Sequence, residues 1–393
     1  MKTHIAILPA HLWITLCIIF LFFCTACEDD NESSEPVPPD TSSEVMTTID
    51  GVEFVRTPEA SFENLPDWPY EMRYVEIDGL RQAYVDEGPS DANPILMLHG
   101  QPSWSYLYRH MIPTLVDAGH RVIVMDHLGM GASDKPIDLE YHSFDNHVSR
   151  LREFIDILDL NNITFFVQDW GSVIGLWAAT EDLNRYARMI VGNGGIPNVE
   201  EVIPISTDIE GSITTYKQLY ESIPDNQPPF FDEEGNPLIP VGDGGGSEAQ
   251  IGFGEWMAFA RHYEDWQVSV MMEALTYDAL TEEEEVAYDA PFPTRTHMAA
   301  PRIFPSLIND LVGRTQPRRD ALTTYERPFL TIFGGNDPGL GEGSDDQEWM
   351  INNIPGAEGQ NHHRYPDASH FLQDDKGEDI ANRVNQFIAD NPI

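Results

Sequence analysis

The sequence is short of positive charge. Its 393 residues carry 22 Lys and Arg against 66 Asp and Glu, a formal net charge of −44. Neutralising phosphates takes a basic footprint, so a general nucleic-acid binder is excluded. Cysteine is scarcer still: Cys17, Cys24 and Cys27 are the only three, and residues 28–393 hold none. The folded part therefore has no internal disulfide and no thiolate metal site. The shortage of bases does not imply disorder, because 41% of residues are hydrophobic and 10% aromatic, enough for a large core or two packed units. An acidic surface keeps a protein soluble and suits salty surroundings, which screen its self-repulsion.

One long apolar run stands out, at residues 12–23, preceded by Lys2 and followed by the small residues Thr25 and Ala26. That is the layout of a secretory signal. The segment Cys24-Thr25-Ala26-Cys27 resembles a bacterial lipoprotein processing box, which implies lipid attachment at Cys27 and an exported, membrane-anchored protein facing the periplasm or cell exterior. The alternatives are an ordinary cleaved signal or a retained anchor, since the run approaches spanning length. Residues 28–55 hold nine acids and no base among Ser, Pro and Thr. Such composition buries too little apolar surface to offset its ordering entropy, so residues 27–65 are expected to form an acidic disordered tether.

Beyond residue 70 short apolar runs alternate with helical periodicity. Strands are expected at 72–78, 80–85, 95–99, 122–125, 163–167 and 189–191, with helices between the later ones, as in a parallel α/β sheet. Val148, Leu151, Phe154, Ile155 and Leu158 mark one helix face. The alternation stops at Pro197 and resumes at 328–333, with a helix near 346–353, a strand near 360–365 and a last helix at 377–389. Residues 198–325 are expected to be a mainly helical cap on a core of 66–197 and 326–393. In the cap, Thr281 and Glu284 fit a capping box, and the acids at 282–285 suit the positive end of a helix dipole. Residues 242–247 read as a flexible glycine-rich segment.

The strand at 163–167 runs into Gln168-Asp169-Trp170-Gly171 and then a helix. This is the order of a nucleophile elbow, with Asp169 at the apex where a serine is usual. Val167 stands where the elbow pattern has a small residue and needs local relief of crowding. An acid after a later strand, Asp337, and a late histidine, His370, follow in the expected chain order. Carboxylate attack on an acyl carbon would give an anhydride, whereas attack on saturated carbon gives an alkyl ester that water can cleave. The elbow aspartate therefore points to displacement at sp³ carbon, either a carbon–halogen bond or an epoxide.

The segments HGQPSWSYLYR (99–109), VQDWG (167–171), APFP (290–293) and HFLQ (370–373) resemble the haloalkane dehalogenases, and DHLGMGASDKP (126–136) is similar to α/β-hydrolases more widely. The resemblance spans roughly 70–390. It implies the α/β-hydrolase fold, a mostly parallel central sheet flanked by helices with a helical cap, and hydrolysis of a small halogenated aliphatic substrate to alcohol, halide and a proton. Asp169 would form the alkyl ester, His370 would activate water, and Asp337 would orient the imidazole. Trp170 and Trp256 would hold halide through their indole N–H groups, with Trp266 a rival in the same cap. The backbone N–H groups of Gln101 and Trp170 would hold the oxyanion. No metal or organic cofactor is required. An epoxide hydrolase shares the aspartate but wants cap tyrosines as proton donors and commonly has His where this chain has Gln168. A non-catalytic surface lipoprotein that kept the fold is the remaining alternative.

Overall fold

The computed structural model describes residues 44–221, 252–341 and 344–393, and its frame is the alternation the apolar runs predict. The strands are β1 (Met46–Thr47), β2 (Glu53–Val55), β3 (Arg73–Ile77), β4 (Leu80–Glu87), β5 (Pro94–Leu98), β6 (Arg121–Met125), β7 (Lys135–Pro136), β8 (Ile163–Gln168), β9 (Tyr186–Gly192), β10 (Phe329–Gly334) and β11 (His363–Tyr365). Eight of them form one sheet in the order β11-β10-β9-β8-β5-β6-β4-β3. Only β3 and β4 run against their neighbours, and the rest pair in parallel. Every residue of β5, β8, β9 and β10 is buried, as expected for parallel strands covered on both faces.

The helices are α1 (Ile112–Asp117), α2 (Phe144–Ile157), α3 (Asp169–Ala179), α4 (Ile209–Glu221), α5 (Phe253–His262), α6 (Val268–Leu275), α7 (Glu282–Asp289), α8 (Ala299–Ile303), α9 (Gln316–Leu322), α10 (Asp346–Asn353) and α11 (Leu372–Asp390). In α2 the predicted face of Val148, Leu151, Phe154 and Ile155 is buried. The described residues between β9 and β10 are mainly helical, α4 to α9 with 3₁₀ helices among them, after an irregular stretch at 193–208. The capping box of α7 forms as read from the sequence: Glu284 N–H donates to Thr281 Oγ1 at 3.3 Å and Thr281 N–H to Glu284 Oε2 at 2.9 Å.

One expectation needs correction. The tether expected over 27–65 is ordered from residue 44 onward: β1 and β2 pair antiparallel, and β2 pairs with β7. Phe54 packs with Leu80 and Leu128. Arg56 forms a two-pronged bond to the fully buried Asp134, at 2.6 and 3.0 Å, and Thr57 Oγ1 donates to the Pro291 carbonyl at 2.6 Å. The acid-rich average hid a short apolar motif that has a docking place. The last helix runs from 377 as expected; a short helical turn from Leu372 precedes it, separated by a break at Lys376 (φ −138°, ψ 25°). Cys27, the signal segment and residues 242–247 lie outside the described residues.

Candidate active site

The carboxyl ends of parallel strands in an open sheet are where such folds place their chemistry, and the loops after β5, β8 and β10 leave from there. At the end of β8 the chain turns so sharply that Asp169 takes φ +49°, a left-handed conformation costly for a residue with a Cβ. The turn is held because α3 lies close to β5: a Cβ on Gly171 would sit 2.5 Å from the Leu98 carbonyl oxygen. Crowding by Val167 is relieved one helical turn further on. A Cβ on Gly175 would stand 2.8 Å from Phe165 Cζ and 3.0 Å from Val167 Cγ1, so the missing side chain there makes room for valine in the elbow.

Asp169, His370 and Asp337 are brought together. His370 Nδ1 lies 2.7 Å from Asp337 Oδ2, and His370 Nε2 faces Asp169 Oδ2 at 3.4 Å. The other oxygen of Asp169 accepts the Gln101 backbone N–H at 2.8 Å. The two carboxylate oxygens are thus in different surroundings, one against a backbone donor and one against the imidazole. Trp170 N–H is in the first turn of α3, where amides have no partner within the helix. The free oxygen of Asp337 accepts the N–H groups of Gly339 and Leu340 at 2.8 and 2.9 Å. Burial of Asp337 opposes its ionisation, but the charge and hydrogen bond of His370 and these two donors outweigh it and hold the carboxyl below its usual range. For His370 burial again opposes charge. The negative charge of Asp337 and the hydrogen bonds to Asp169 and Asp337 prevail, raising it to about 10.

The loop after β5 is shaped from beneath by Asp126, buried at the end of β6, whose carboxylate accepts the N–H of Ser105 at 2.8 Å and of Ala132 at 2.9 Å. The Gln101 side chain points away from a halide role, since its Nε2 donates to the Pro301 carbonyl at 2.9 Å. Trp170 is edge-on to Phe304, with centroids 5.7 Å apart. Trp256 belongs to an aromatic cluster on α5: its ring is 5.5 Å from Tyr216, 5.8 Å from Phe259 and 5.7 Å from Trp266. Ring contacts among the described residues do not join the two indoles directly; α5 packs on the turn that holds Phe304, which touches Trp170. The buried Trp266 Nε1 has no hydrogen-bond partner among the described residues.

Two residues at this site escape sequence reasoning. Asn193, just past β9 at φ +26°, receives the Asp169 N–H on its carbonyl at 2.9 Å and the Gly334 N–H on Oδ1 at 2.7 Å. Its Nδ2 donates to the Ser369 carbonyl at 2.8 Å and the His370 carbonyl at 3.3 Å. Gln168 Nε2 also reaches the His370 carbonyl, at 3.1 Å. Neither role has a linear signal; Asn193 is conspicuous only as a polar residue closing a buried strand. His362 and His363 are half-buried. His362 Nδ1 accepts the Thr331 N–H at 3.1 Å and its Nε2 meets the Ala357 carbonyl at 2.8 Å.

Residues 93–219 match the family model described as the alpha/beta hydrolase fold. A haloalkane dehalogenase of Mycolicibacterium paratuberculosis is 36% identical over 340 residues, 84% of this chain and 96% of that protein. One of Psychrobacter cryohalolentis is 35% identical over 351 residues, 87% of this chain and all of that protein. This chain belongs to the haloalkane dehalogenases. Among solved structures, the haloalkane dehalogenase DpaA of Paraglaciecola agarilytica aligns with TM-score 0.66 and 29% identity over 84% of this chain and 97% of that one. DatA of Agrobacterium tumefaciens, at 20% identity and TM-score 0.58, shares the fold over 85% of this chain and the whole of its own.

Proposed function

We propose that this haloalkane dehalogenase cleaves carbon–halogen bonds through an alkyl ester on Asp169. The observation that carries the mechanism is the asymmetric setting of that carboxylate, with Oδ1 on the Gln101 N–H and Oδ2 facing His370. Oδ2 attacks the halogen-bearing carbon in line, and the carbon–halogen electron pair leaves with the halide. The indole N–H groups of Trp170 and Trp256 receive the halide; indole donates and does not accept, which suits an anion in a dry pocket. Oδ1 becomes the ester carbonyl oxygen, already on a backbone donor.

Ester formation removes the negative charge of Asp169, and with it part of what holds the proton on His370. The imidazole sheds that proton to solvent, the one proton of the net reaction, and becomes a base. It then takes a proton from water as the oxygen bonds to Asp169 Cγ. Gln101 N–H and Trp170 N–H stabilise the oxyanion on Oδ1, and Asp337 stabilises the imidazolium. Collapse expels the alkoxide, which takes the proton from His370, and Asp169, left as a carboxylic acid, gives its own proton back to His370 and is restored. The balance is haloalkane plus water to alcohol, halide and one proton. The full chain, given a small bromoalkane, should release bromide and acid in equal amounts; absence of bromide across a panel of chloro-, bromo- and iodoalkanes would refute the activity.

The same reading places the enzyme outside the cytoplasm on a lipid carried by Cys27, as the apolar run at 12–23 and the small residues before the cysteine support. Mass spectrometry of the processed N-terminal peptide tests it: a diacylated Cys27 supports the anchor, and an unmodified Cys27 within the intact chain contradicts it.

A further inference from the structure

The loop that carries His370 is fastened from two sides. Beneath it, Asn193 and Gln168 of the core hold the carbonyls of Ser369 and His370. Above it, the helical insertion holds the N–H groups that flank the base. Phe371 N–H donates to the Leu275 carbonyl at the end of α6, at 3.1 Å. Ser369 N–H donates to Asp375 Oδ2 at 2.8 Å. The other oxygen of the same carboxylate accepts the backbone N–H groups of Tyr277 and Asp278, just after α6, at 2.8 and 3.1 Å. One carboxylate thus joins the backbone preceding the base to the backbone of the insertion.

We propose that Asp375 is a positioning residue that ties His370 to the insertion between β9 and β10, so that the seating of the insertion and the placement of the base change together. This rests on the dehalogenase mechanism above for its kinetic consequence, but the mechanical link stands on the hydrogen bonds alone. The neighbouring Asp374 makes a useful contrast. Its carboxylate lies 2.5 Å from Arg109 Nη1 and accepts the Tyr288 hydroxyl of α7. That carboxylate fastens the insertion too, but makes no bond to residues 369–371. Replacing Asp375 by Asn keeps the size and leaves an oxygen for Tyr277 and Asp278. Its amide then meets the Ser369 N–H donor to donor, so the loss is concentrated at the residue before the base.

In Asp375→Asn, halide release in the first turnover should stay within about two-fold of the unaltered chain, while cleavage of the alkyl ester slows at least ten-fold and the ester accumulates. Asp374→Asn should lower the melting temperature without changing the ratio of the two steps. Equal slowing of both steps in Asp375→Asn, no slowing of either, or the same split in Asp374→Asn overturns the proposal. A second measurement needs no variant and no turnover. In native-state hydrogen exchange of the full chain under increasing urea, the amides of Ser369, Phe371, Tyr277 and Asp278 should lose protection as one unit. Independent loss by the two segments overturns the link. If the unaltered chain released no halide at all, the enzymatic reading would fall and the exchange result would still decide the link.

Discussion

In the proposed mechanism His370 faces opposite demands in the two halves of the reaction. With Asp169 ionised it sits between two carboxylates, and despite burial its pKa is raised to about 10. As a base toward water it must be neutral. The chemistry resolves this by esterifying one of the two carboxylates before the base is needed. Asp169→Asn, which removes that charge permanently, should therefore abolish turnover and also lower the His370 pKa, read by NMR titration of the imidazole. An unchanged pKa would contradict the electrostatic coupling. Linkage gives the stability consequence. A histidine whose pKa is higher folded than unfolded stabilises the fold fully below its unfolded value near 6.5, and the gain is lost as pH rises through about 10. Thermal melts of the unaltered chain and of His370→Ala should converge toward pH 10 and above, and differ most at neutral and mildly acidic pH. The apex aspartate and the late histidine were legible in the sequence because they sit at fixed places in a strand–turn–helix pattern. Asn193 and Gln168 were not, because their partners lie up to about two hundred residues away and appear only when the loops meet.

At the scale of elements, the elbow is a packing solution. Val167 is tolerated beside a left-handed Asp169 because Gly175 leaves space one turn along α3. Gly175→Ala should destabilise the protein by about 1–3 kcal/mol through overpacking, read by urea unfolding, and Val167→Ala in the same chain should recover part of the loss. The N-terminal strands make a different point. Asp134, fully buried, is gripped by Arg56 and by the backbone N–H of Arg81 at 2.8 Å. Asp134→Ala should cost about 3–5 kcal/mol, the range for breaking a buried ion pair. A cost near zero would mean that β1 and β2 are not held as described. The buried strands of the sheet were readable from their apolar runs, whereas β1 and β2 were not. They offer only a few apolar residues, Met46, Val52, Phe54 and Val55, in an acidic stretch, and what decides their order is a complementary surface made by Leu80, Leu128 and β7.

For the whole molecule, the net charge of −44 opposes compaction and does nothing for the chemistry. Screening should relieve it: the melting temperature should rise as sodium chloride is raised from about 10 mM, where the Debye length is about 30 Å, to about 1 M, where it is about 3 Å. A flat response would mean that the surface acids are already neutralised by their neighbours. The charge was fully visible in the composition and the site was visible in the motifs. The seating of the helical insertion on the base was visible in neither, since it depends on backbone N–H groups that every sequence possesses. The field of many acids is a solvation property; the proposed reaction depends on the single acid placed on a turn, with one oxygen on an amide and the other toward an imidazole.

The most direct test of that claim is a single-turnover experiment on His370→Ala with a bromoalkane. One equivalent of bromide should appear without continued turnover, and peptide mass spectrometry should find the alkyl group esterified to Asp169. Sustained bromide release by this variant, or an alkyl group on any other residue, would contradict the mechanism.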